Sequence, residues 1–78
     1  MITVNYFGNI AEAAQGDSET IDQKSMSLDE LLNLLDSKYD IRKFQFQIAI
    51  NRKIVSKDQA LIISDTDEVA LLPPFAGG

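Results

Sequence analysis

One strongly marked helix among segments of a different period constrains this chain most. Ser27 and Glu30 form a capping box, with Met26 and Leu31 as the flanking hydrophobic staple, so the spacing predicts a helix starting at Leu28. Leu28, Leu31, Leu32, Leu35 and Tyr39 then recur at i, i+3, i+4, i+7 and i+11, an apolar stripe along one side. A lone stripe of this kind needs a sheet to cover it. Strands are written on both sides of the helix. Ile2, Val4 and Tyr6 alternate with Thr3, Asn5 and Phe7, and Phe44, Phe46, Ile48 and Ile50 alternate with Gln45, Gln47, Ala49 and Asn51. Asn51-Arg52 can turn the second of these into Lys53-Ile54-Val55 as a hairpin. Glu68 to Leu72 reads as a last strand, stopped where Pro73 and Pro74 remove two successive amide donors.

The intervening segments carry weaker signals. Asn9 and Glu12 resemble a second capping box, and Gly16 can take a left-handed terminal position, which predicts a short helix burying Ile10, Ala13 and Ala14. Residues 19–24 read as a short polar strand near a sheet edge. Residues 56–63 read as an irregular connection burying Leu61, with Ile63 a further candidate, and Ser64-Asp65-Thr66-Asp67 reads as a turn. Together these elements predict an α+β domain in which one helix covers one face of a mixed sheet, a β-grasp pattern over residues 1–72, followed by a tail over 73–78.

Composition limits what such a domain can do. At 78 residues there is room for one core, and with no cysteine and no histidine the chain lacks thiolate chemistry, the usual neutral-pH base and the commonest metal ligand. No metal site and no bound cofactor are therefore expected. The net charge of −5 opposes binding to nucleic acid. The longest apolar runs, Ala60–Ile63 and Val69–Leu72, are far short of the ~20 residues of a membrane helix, and the first residues do not resemble a secretory signal, so a cytoplasmic location is expected. Charge is uneven: Arg42, Lys43, Arg52, Lys53 and Lys57 stand against Asp58 alone in residues 41–64. That basic middle reads as a solvated strand and turn, with docking to an acidic partner as the alternative.

Two features remain without a structural use. Alternation places Phe7, Leu72 and one of Ile54 or Val55 on the sheet face that no helix of the chain covers, where neighbouring first and last strands would join them into an apolar patch. The tail Pro73-Pro74-Phe75-Ala76-Gly77-Gly78 has a stiff exit, one aromatic anchor and two residues without side chains, a form suited to entering a narrow channel.

These segments resemble the ubiquitin-like sulfur carriers, and in particular the small subunits of molybdopterin synthase. The opening Ile2-Thr3-Val4-Asn5-Tyr6-Phe7-Gly8 followed by Glu12 is similar to the start of that family. Ala49-Ile50-Asn51, Val55, Asp65-Thr66-Asp67-Glu68-Val69-Ala70, Pro73-Pro74 and Gly77-Gly78 follow its C-terminal pattern in order and spacing. Two positions depart from it: Thr66 stands where glycine is usual, which would strain a turn needing positive φ, and Phe75 stands where a smaller aliphatic residue is common.

The resemblance implies a ubiquitin-like β-grasp whose reactive group is the α-carboxylate of Gly78. It implies that an ATP-dependent adenylating enzyme converts this carboxylate to a mixed anhydride with AMP, and that a persulfide donor supplies sulfur to give a thiocarboxylate. The large subunit of molybdopterin synthase would then receive the tail, in a two-plus-two assembly, and pass the sulfur to a pyranopterin. ATP in this scheme belongs to the activating enzyme. The resemblance assigns partner contacts to Pro73, Pro74, Phe75, Ala76 and Gly77, and the strand alternation adds Phe7 and Leu72. Three alternatives stay open: a carrier for thiamine synthesis, whose members usually lack Pro-Pro here, a modifier joined to lysines through the same glycine, and an interaction domain with an inert tail.

Overall fold

The computed structural model describes residues 1–74. Strand β1 (Ile2–Tyr6) leads into helix α1 (Gly8–Ala14), strands β2 (Ser18–Ile21) and β3 (Ser25–Ser27), and helix α2 (Leu28–Tyr39). A 3-10 turn (Ile41–Lys43) precedes strands β4 (Gln47–Ile50), β5 (Lys53–Val55), β6 (Ile62–Ser64) and β7 (Glu68–Leu72). The main sheet has the order β2-β1-β7-β4-β5, with β1 and β7 parallel and the other pairs antiparallel, while β3 and β6 form a separate two-stranded ribbon. This is the expected α+β β-grasp arrangement.

Helix α2 begins where its cap dictates. The Glu30 N–H donates to Ser27 Oγ at 3.0 Å, and the Ser27 N–H donates to Glu30 Oε1 at 3.1 Å. Leu28, Leu31, Leu32 and Leu35 are buried, and they share one core with Ile2, Val4, Ile48, Val69 and Leu71 from the three central strands. Each such side chain contributes about 1.5–3 kcal/mol by leaving water. The core therefore rests on the stripe and the alternation together.

Several expectations need correction. Helix α1 starts at Gly8 after Phe7 with no side-chain cap, so Asn9 and Glu12 form no capping box. Its left-handed terminal residue is Gln15, at φ 58°, and not Gly16. The Gly16 N–H bonds Ala11 O at 3.1 Å and the Gln15 N–H bonds Glu12 O at 3.2 Å, the double closure of a Schellman motif. Ala11 and Ala14, rather than Ala13 and Ala14, join Ile10 against the core. The edge strand β2 ends at Ile21, because the Gln23 N–H turns back onto Ile21 O at 2.8 Å. Strand β4 begins only at Gln47, since the chain spends Ile41–Lys43 in a 3-10 turn that buries Ile41. The supposed irregular connection ends in a strand: Ile63 is fully buried opposite Met26 in the β3–β6 ribbon, and Leu61 is half-buried.

Two polar networks fix the periphery. On edge strand β2, Glu19 Oε1 accepts from the hydroxyls of Tyr6 and Tyr39, each at 2.7 Å, and Glu19 Oε2 pairs with the Lys38 ammonium. The tyrosine rings meet edge to face with centroids 6.0 Å apart. Desolvation pushes the Glu19 carboxyl up, but the bonds from Lys38, Tyr39 and Tyr6 outweigh it and hold the group below its ordinary value. Burial, then the Glu19 bond, raises the Tyr6 phenol well above its usual range, and the Glu19 bond raises Tyr39.

At the other end of the sheet, Asp67 Oδ2 accepts from the Ser64 N–H at 2.9 Å and Asp67 Oδ1 from the Asn51 side chain at 2.9 Å. The Ser64 backbone bond, followed by the Asn51 contact, lowers the Asp67 carboxyl. Asn51 Oδ1 also accepts from the Glu68 N–H at 3.0 Å, stitching the hairpin turn to the start of β7. Thr66 is not among the residues with positive φ, and its Oγ1 lies 2.9 Å from Ser64 Oγ, so the turn has no need of glycine there.

Candidate functional site

The sheet face opposite α2 is where the unassigned residues meet. Alternation sends Val69 and Leu71 of β7 into the core and leaves Ala70 and Leu72 on the far side. Register then aligns Ala70 with Ala49 of β4, and Ala49 with Ile54 of β5. Tyr6 pairs with Leu71, and the Phe7 N–H donates to Leu71 O at 3.2 Å, which sets Phe7 beside Leu72. Phe7 is 47% exposed, Ile54 is 58% exposed and Leu72 is half-buried. Ile54 is thus the outward residue of the hairpin, whereas Val55 packs against the core. β1 and β7 being neighbours, Phe7, Leu72, Ala70, Ala49 and Ile54 run as one apolar file across three joins.

The tail leaves the body at the Phe7 end of this file. An open cleft of about 270 Å³ is walled there by Phe7, Gly8, Ile10, Phe46, Leu72 and the two prolines, with Asn9 and Gln45 at its edge. None of these side chains ionises between pH 2 and 12. The cleft offers shape and apolar surface, not acid–base chemistry. Gly8 matters to it for two reasons: its φ is +63°, and a Cβ there would stand 3.0 Å from Pro73 Cγ. The absence of that carbon lets the proline ring lie against the β1–α1 junction.

Four of the expected site residues, Phe7, Leu72, Pro73 and Pro74, are therefore brought together. Phe75, Ala76, Gly77 and Gly78 lie outside the described residues. Gly8, Asn9, Ile10, Gln45 and Phe46 also line the cleft, and none of them is among the expected site residues. Phe46, which alternation places on a strand, stands just before β4 and is 6% exposed while lining the cleft. The signal for Gly8 was its place between the last residue of a strand and the first turn of a helix. Among the described residues no group of three or more acidic, histidine or cysteine side chains could hold a metal ion, and no helix is long and apolar enough to cross a membrane.

Comparison with known proteins places this geometry. A molybdopterin synthase sulfur carrier subunit of Dictyostelium discoideum is 42% identical over 31 residues, 40% of this chain and 36% of that protein. The match thus spans about a third of that relative's length. Among solved structures, the complex of subunits 1 and 2 of molybdopterin-converting factor from Helicobacter pylori aligns at 28% identity and TM-score 0.67, covering 99% of this chain and 97% of the matched one. The small archaeal modifier protein 1 of Methanosarcina acetivorans aligns at TM-score 0.75 and 23% identity, over 99% and 95% of the two chains, a likeness of fold. The ThiS family matches residues 4–78, both the β-grasp body and the tail, and the chain belongs to that family.

Proposed function

We propose that this chain is a sulfur carrier in molybdopterin synthesis, working through the α-carboxylate of Gly78. The observation that carries the reading is the conjunction of an uncovered apolar cleft at the root of the Pro73-Pro74 exit with a family match that continues through Gly78. A carboxylate is a poor electrophile and the chain has no histidine or cysteine to activate it. A separate adenylating enzyme would spend ATP to form the acyl-AMP anhydride. The outer sulfur of a persulfide donor would displace AMP to give an acyl disulfide, and a second thiol would cleave its S–S bond, forming a disulfide with the donor and leaving the thiocarboxylate. The large subunit of molybdopterin synthase would then admit the tail. Phe7 and Leu72 would dock the body and Pro73 and Pro74 would aim the exit. Phe75, Ala76 and Gly77 would occupy the channel and bring Gly78 to the pyranopterin. The H. pylori relative, solved with its second subunit, and the D. discoideum relative favour this acceptor over a thiamine precursor.

The test is intact mass after incubation with the activating enzyme, ATP and a sulfur donor. A thiocarboxylate adds about 16 Da, nearly the same as oxidation of Met1 or Met26, so fragmentation must localise the gain to Gly78. Transfer of that sulfur to a pyranopterin with the purified large subunit is the expected outcome. A terminus that stays unmodified overturns the reading, and covalent conjugates to lysines of other proteins would replace it with the modifier alternative.

A further inference from the structure

The uneven charge of the sequence acquires a location in the fold. Arg42 in the 3-10 turn and Lys57 after β5 converge on a second cleft, of about 310 Å³, whose floor is Leu32 and Phe46 and whose far rim is Asp29. The Lys57 ammonium lies 3.9 Å from the centre of the Phe46 ring. Among the described residues no carboxylate lies within 4.0 Å of Lys57. Its sequence neighbour Asp58 instead accepts from the Ser56 hydroxyl at 3.2 Å. Arg42 reaches Asp29 only at 3.9 Å, with both side chains exposed, a contact too weak to neutralise either. Lys43 stands beside Arg42, 4.0 Å from Asp40. Two cations against the one carboxylate of Asp29 therefore surround an apolar floor, on a chain whose net charge is −5.

Phe46 lines both clefts, and Lys57 stands over its ring. The two clefts therefore adjoin at Phe46, and a partner broad enough to cover both would meet Lys57 and Arg42. We propose that this cleft receives an acidic side chain of the protein that takes the tail, so that the partner is acidic at the rim of its tail channel. The inference rests on the function proposed above and adds the charge of the partner's surface to it. The net charge of −5 opposes an acidic surface in most orientations, and the Lys57–Arg42 pair near the tail exit would favour the one in which the terminus enters first.

Association with the large subunit, followed by stopped-flow at low and high salt, tests this on the full chain. Lys57→Glu and Arg42→Gln are compared with Lys24→Glu, which changes charge at an exposed residue between β2 and β3, away from both clefts. The expected result is association about 5–20-fold slower for Lys57→Glu, a smaller loss for Arg42→Gln, convergence with wild type at high salt, and little change for Lys24→Glu. All variants should melt within a few degrees of wild type, since the substituted side chains are exposed. If Lys57→Glu and Lys24→Glu slow association equally, or neither does, the inference is overturned while the carrier function stands. If the wild type fails to bind the large subunit at all, both are overturned.

Discussion

Replacing Glu19 with alanine should cost this small domain a large part of its stability, although Glu19 sits on an edge strand among polar residues. The carboxylate is the common acceptor for Tyr6, Tyr39 and Lys38. Tyr6 is 2% exposed, so its hydroxyl would be stranded in the core, at about 1–3 kcal/mol. Tyr39 is half-buried and can rewet, which limits its loss to about 0.5–1 kcal/mol. The Lys38 side chain is 40% exposed, and screening reduces its share to about 0–0.5 kcal/mol. Together these give about 1.5–4.5 kcal/mol, or a fall in melting temperature of roughly 6–36 °C for a chain this short. Urea unfolding followed by circular dichroism measures the loss directly. Glu19→Gln keeps an acceptor without the charge and should lose about half as much. In a double-mutant cycle Tyr6→Phe should cost about 1–2 kcal/mol less in the Glu19→Ala background than in wild type. Strict additivity, or a Glu19→Ala loss below about 0.5 kcal/mol, would refute the account.

The same network sets a pH dependence of known sign. The folded Glu19 value lies below the unfolded one, so its contribution is present above the unfolded carboxylate value, about 4.3, and disappears as pH falls through the folded value. The gap between wild type and Glu19→Gln should therefore close on acidification below about pH 4. The tyrosines are raised, so their contribution is present below the unfolded phenol value of about 10 and is lost as pH rises above it. Both tyrosines of the chain are in this network and it has no tryptophan, so phenolate absorbance should stay flat past that point and then rise with unfolding.

Other substitutions test other parts. Arg52, at φ 71° in the hairpin turn, has an exposed partner in Glu68 at 3.7 Å, and Arg52→Gly should stabilise by about 0.5–1 kcal/mol in thermal unfolding because relief at positive φ exceeds the lost pair. Ser27→Ala removes the α2 cap and should cost about 1 kcal/mol by the same assay. Leu35→Ala, at a fully buried position, should cost about 2–5 kcal/mol. Phe7→Ala and Leu72→Ala should each weaken binding to the large subunit by about 1–3 kcal/mol in calorimetry, and unchanged affinity for both would remove the cleft from the mechanism.

What the sequence disclosed followed the strength of local rules. The Ser27–Glu30 cap, the leucine stripe and the Val69/Leu71 alternation each satisfy two requirements at once, and α2 and β7 form as read. The β3–β6 ribbon escaped because Ser25-Met26-Ser27 is too short for a period and is held by tertiary pairing to Ile63. Asn9 and Glu12 misled because Phe7, continuing from β1, already occupies the cap position, leaving Asn9 inside the helix. At the candidate site, Phe7, Leu72 and the prolines were legible from alternation and from the tail. The double use of Phe46 was not, because burial pattern records which side of a strand a ring leaves and says nothing of what its edges touch.

The position of β7 has a consequence for how the molecule comes into being. Among the described residues it is the last strand in order but the middle one across the sheet, with β1 on one flank and β4 on the other. Until it arrives, β2-β1 and β4-β5 are two separate ribbons with no hydrogen bonds between them. Closing the sheet must then await residues 68–72, with the slow closure expected of long-range strand pairing. Chains broken off before Glu68 would leave β1 and β4 unjoined and the tail exit without its Leu72 wall.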